Sequence, residues 1–179
     1  VILSIAIGLS VLSSIGQIGG NIRTSIQQDL PDVAPSYFFI DIQKSQMPEF
    51  RQIMETDKDV TSFDEAPMIR GIISRINGMP AKEYAGDHWV LRGDRGLTYS
   101  SKPLERSKIT EGVWWEPGYE GPAQISFAEE EGREMGLSLG DELTVNIMGR
   151  DINATITSFR DVDFSTAGIG FIMSMNPHA

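Results

Sequence analysis

The chain has 179 residues, no cysteine, and 25 acidic against 15 basic residues, for a formal charge of −10. The basic residues are scattered singly rather than gathered into a stripe, which argues against a nucleic-acid partner. The missing thiols exclude disulfides, thiolate chemistry and cysteine metal sites, and the length suffices for a sizeable core in one domain or two small ones.

No charged residue occurs from Val1 to Ile22, and Arg23 is the first. Three readings compete for this run: a secretory signal, a buried core helix, or the outer end of a membrane span. A signal peptide begins with methionine and a basic stretch, and neither is present. Val1 to Ile18 reaches the lower limit of a span, diluted by serines and by Gly8 and Gly16, small residues common where membrane helices pack together. An apolar start without methionine favours the membrane reading.

The prolines of "QDLPDVAP" end helix near Leu30. "SYFFIDIQ" follows, and its aromatic and β-branched residues from Tyr37 to Ile42 predict a short central strand. Ser45 is placed to cap a helix in "SQMPEFRQIMETD", with Met47, Phe50, Ile53 and Met54 as an apolar stripe that packs on a sheet. A strand or bulged pair is expected around Ile69 to Ile76, ending in the turn of "INGMP". Strand, helix, strand in succession is the seed of a split α/β sandwich.

Ala81 to Gly121 is rich in Gly, Pro and Trp and predicts short strands and ordered loops. Ser126 and Glu129 have capping-box spacing, so a short helix should start there and end by Gly136. Leu143, Val145 and Ile147 alternate with polar neighbours, Gly149 and Arg150 occupy the turn, and Ile152, Ala154 and Ile156 resume the alternation, the pattern of a β-hairpin with one buried face. "STAGIGFIMSMNP" closes with another apolar strand.

Chemistry-bearing patterns are few. His88 and His178 lack partners at ligand spacing, so neither a zinc site nor a histidine triad is expected. Glu129, Glu130 and Glu131 suit the first turn of a helix, where free amides favour negative charge. No lysine-bearing phosphate loop is present, and Asp161 and Asp163 read as the wet face of a strand. No catalytic residue, cofactor site or metal site is therefore assigned. Trp114 and Trp115 remain as candidate partner or cargo contacts. On an extended segment they would face opposite ways, with Trp115, beside Glu116 and Pro117, the more exposed.

The stretches "LPDVAPSYFFIDIQ", "RGIISRINGMP", "WVLRGDRGLTYSS" and "GVWWEPGYEGP" carry a resemblance. Nearly the whole chain resembles the large extracytoplasmic loop of bacterial ABC transporter permeases of the FtsX-like family, similar to those of macrolide-exporter-like and lipoprotein-release-like permeases. The resemblance implies an α+β fold, a porter-like split βαβ lobe with an inserted mixed α/β lobe, preceded by the end of a transmembrane helix. Residues 1–18 would be the outer end of that helix, 19–80 the first part of the membrane-proximal lobe, 81–164 the inserted distal lobe, and 165–179 a return strand, leaving the domain incomplete. It also implies a non-catalytic periplasmic domain in the bacterial inner membrane. The domain would couple ATP hydrolysis by a cytoplasmic ABC ATPase subunit to export or release of a lipid-linked or hydrophobic cargo. Membrane lipid would surround residues 1–18, and the intact transporter would be a dimer of permeases or a two-halved permease. The alternatives are a passive periplasmic binding or assembly module without a transport role, and a soluble hydrolase using Asp161, Asp163 or His88.

Overall fold

Strand patterning dominates the chain beyond its first third. A computed structural model describes residues 17–18, 36–104, 107–162, 164 and 169–179. Helix α1 covers Met47–Thr56, followed by strands β1 (Met68–Ile76) and β2 (Met79–Pro80), helix α2 (Ala81–Ala85), a 3-10 turn (Trp89–Leu91), and strands β3 (Arg95–Tyr99), β4 (Lys108–Gly112) and β5 (Gln124–Ala128). Helix α3 (Glu129–Glu134) and strands β6 (Glu142–Ile147), β7 (Arg150–Asp161) and β8 (Met173–Met175) complete the order.

The expected hairpin forms β6 and β7. Ile147 lies opposite Arg150, so the turn is Met148–Gly149 and not the expected Gly149–Arg150, and both turn residues have positive φ (51° and 86°), which matches the right-handed twist of the flanking strands. β1 is the expected strand with a register shift between Ile73 and Arg75, and it runs antiparallel to β6 on one edge and to β3 on the other. β3 pairs parallel with β8, β8 antiparallel with β5, and β5 parallel with β7. The ring β1–β3–β8–β5–β7–β6 therefore closes on itself, a six-stranded barrel in which each strand has a neighbour on both sides.

Inward positions fill the barrel with side chains. Ile73, Ile76, Leu97, Ile125, Phe127, Leu143, Val145, Ala154, Ile156, Phe159, Met173 and Met175 belong to one buried apolar cluster. β7 is twelve residues long and outruns β6, and its second half takes β4 on the edge that β6 leaves free. A second row is buried on the same wall: Thr98, Ser174, Ser126 and Ser158 lie in register across β3, β8, β5 and β7.

This architecture corrects the expected fold. The described residues form a closed β-barrel with two extra strands and three short helices, not a porter-like split βαβ lobe with a mixed α/β insertion. The barrel draws β1 from before residue 81 and β8 from beyond residue 164, together with four strands between them. Such closure depends on non-local pairing, including two parallel contacts, that local strand–helix–strand order does not reveal.

Local expectations are corrected as well. Helix α1 forms, but Gln46 rather than Ser45 precedes it, and none of its residues is buried; Ile53 of the stripe is 57% exposed. An Arg51–Glu65 ion pair ties the helix to the segment before β1. No capping box forms at α3, because Ser126 is inside β5 and Ala128 stands at the helix start.

The chain divides into two units, Val1–Ile42 with Phe164–Gly168, and Gln43–Asp163 with Ile169–Ala179. In the first, the expected strand at Tyr37 to Ile42 does not form: the segment joins no sheet among the described residues, and Tyr37, Phe38, Phe39 and Ile40 are exposed. The expected membrane end at 1–18 lies outside the described residues except for 17–18. Among the described residues no helix is long and apolar enough to cross a membrane.

Candidate functional site

The approach to the two adjacent tryptophans begins with a bulge. Ile125 pairs with Ile156 and Ser126 with Ser158, so Thr157 has no counterpart on β5 and turns its carbonyl toward the end of β4. Gly112 ends β4 there with φ +78°, and a Cβ at this position would collide with the Thr157 carbonyl oxygen. Only glycine meets both demands. Val113 then donates its amide to the same oxygen at 3.1 Å, and the chain leaves the sheet.

Beyond this point the backbone is irregular, and the alternation that would send Trp114 and Trp115 to opposite faces no longer holds. The two rings stack with centroids 3.9 Å apart and planes tilted by 33°. Trp115 is buried, and its Nε1 donates to the Ser100 carbonyl at 2.8 Å; Trp114 is half-buried, and its Nε1 donates to the Ser101 carbonyl at 3.3 Å. The expected order of exposure is thus reversed.

A turn brings Tyr119 back, its amide bonded to the Glu116 carbonyl at 3.1 Å. Val113, Trp114, Trp115, Glu116 and Tyr119, with Gln124 at the start of β5 and Thr157 at the bulge, line an open slot of about 300 Å³. Its volume is at the small end of ligand sites, enough for one head group or side chain. The structure thus brings the two predicted residues together in one site. Tyr119, Gln124 and Thr157 were missed, because a bulge and an irregular return carry no periodic pattern.

The histidines and acids lie elsewhere. His88 accepts the Val90 amide at Nδ1 (3.4 Å), so Nε2 is the nitrogen that carries the proton toward Glu134, 2.8 Å away. This arrangement caps the 3-10 turn. His178 and Asp161 are exposed, and Asp163 lies outside the described residues. Among the described residues no three His, Asp or Glu side chains are grouped to hold a metal ion.

Glu131 and Arg160 are buried although both are ionisable. Burial is the main cause that raises the Glu131 carboxyl above its usual range; the charges of Glu130 and Glu134 add to it, while its own amide and His88 oppose. A carboxyl raised in the folded state lends stability that is full below its unfolded value and is lost as pH climbs through the folded one. Glu131→Gln should therefore gain on the parent chain between about pH 4 and pH 7. Urea midpoints of both proteins at the two pH values measure this, and a constant difference would show that Glu131 does not titrate abnormally.

Comparison with known proteins assigns the chain weak, partial homology to an ABC transporter permease. The relative is the uncharacterized ABC transporter permease YbbP of Escherichia coli (strain K12), 26% identical over 149 residues, which are 82% of this chain and 17% of that protein. The chain thus spans less than a fifth of the relative's length. No family model and no solved structure matches it.

Proposed function

We propose that this chain is the periplasmic part of an FtsX-like ABC transporter permease. In this reading residues 1–18 are the outer end of a transmembrane helix set in inner-membrane lipid. The barrel moves with the membrane helices as a cytoplasmic ATPase subunit hydrolyses ATP, and so drives export or release of a lipid-linked or hydrophobic cargo. The chain itself catalyses nothing, and Trp114 and Trp115 contact the partner or cargo through the slot they line. In the intact transporter two permeases, or two halves of one, act together. The carrying observation is the similarity to a permease over 82% of the chain.

Sidedness provides the test. The chain has no cysteine, and Met148 at the β6–β7 turn is 97% exposed. In the full-length protein, freed of any other cysteines, Met148→Cys should react with a membrane-impermeant maleimide in intact spheroplasts, and the tagged protein should co-purify with an ATPase subunit. Labelling only after lysis would overturn the periplasmic placement.

A further inference from the structure

We propose that the Trp114–Trp115 slot binds an organic cation, specifically an alkylated ammonium head group. This deepens the contact role proposed above for the two indoles and rests on it. The slot wall carries three aromatic rings, of Trp114, Trp115 and Tyr119, and one carboxylate, Glu116, with no basic residue. Both indole N–H groups are already donated to the carbonyls of Ser100 and Ser101. The half-buried Trp114, backed by the buried Trp115 ring, therefore offers a ligand ring surface and not a donor, which disfavours anions and suits a cation with an apolar rim.

Two further observations point the same way. Glu116 has no ion-pair partner among the described residues, so its charge is available at the slot. The formal charge of −10 adds long-range attraction for cations. The third tryptophan, Trp89, already holds the Arg95 guanidinium 5.1 Å from its ring centroid and serves as an internal control.

The test is a titration with choline followed by the three indole N–H resonances of the protein. The Trp114 and Trp115 signals should move together and saturate while that of Trp89 stays in place. The uncharged carbon isostere of choline, dimethylbutanol, should bind about tenfold more weakly. Glu116→Gln should weaken choline several-fold and leave the isostere unchanged. Retention on phosphatidylcholine vesicles in addition to choline binding would place the cation on a lipid, and choline binding without retention would make it a free ligand. Equal affinity for choline and its isostere would overturn the proposal in favour of a plain apolar slot. Absence of saturation, or a matching shift of Trp89, would overturn it outright. The periplasmic placement is read from maleimide labelling alone, so the two proposals fail separately.

Discussion

Trp115→Ala is expected to destabilise the chain by about 3–5 kcal/mol, the range for emptying a buried indole site. Trp115 is only 5% exposed, its N–H is bonded to Ser100 at 2.8 Å, and its ring supports that of Trp114 at 3.9 Å. Removal would leave a cavity, an unmatched carbonyl and an unsupported neighbour. Trp114→Ala should cost about 1 kcal/mol, because that ring is half-buried and its bond to Ser101 is the longer at 3.3 Å. Urea unfolding of both single variants and the double variant measures the difference, and the cycle should show coupling of about 0.5–1.5 kcal/mol between the stacked rings. Equal losses for the two would mean that Trp114 is as structural as its neighbour, and the slot would then lose its most exposed indole as a contact.

Arg160→Met should leave stability unchanged or raise it by about 1–3 kcal/mol, although the arginine is fully buried. Its Nη2 donates to the Phe171 carbonyl, while Nε and Nη1 have no partner among the described residues. Burial pushes its pKa down to about 10, and the charge of Glu131 offsets only part of that. For a base lowered in this way the penalty is complete at neutral pH and lifts only as pH rises through about 10. Methionine keeps much of the volume without the charge. Arg160→Ala should instead cost about 2–4 kcal/mol, since it opens a cavity. Calorimetric melting of the two variants separates the charge from the packing. A loss of about 3–5 kcal/mol in the methionine variant would show that Arg160 is paired with a compensating anion in solution.

Legibility in the sequence follows the range of the interactions concerned. The hairpin of β6 and β7 was readable because alternation and a two-residue turn are local, and so was β1 with its turn at Asn77 and Gly78. The chain's acidity and its lack of cysteine bounded the chemistry from composition alone. Ser126 shows the opposite case, since its capping-box spacing competed with strand pairing to β7 and β8, and the pairing won. Tyr37 to Ile40 has strand composition but is not part of a strand, because β propensity is a weak local preference that tertiary context overrides.

By itself the sequence determined β1 with its turn, the alternation of the β6–β7 hairpin, the closing apolar strand, the short acidic helix and the presence of two adjacent indoles, all properties of residues close along the chain. Tertiary structure alone decided that six strands close into a barrel, that the indoles stack on one side instead of facing apart, and that Arg160 is buried. Each of these depends on distant partners: β8 placed between β3 and β5, the bulge at Thr157 meeting Gly112, and the carbonyls of Ser100 and Ser101 reached by the two N–H groups. Pairing of that kind is specified by the mutual fit of surfaces far apart in the chain, and no window of neighbouring residues contains it.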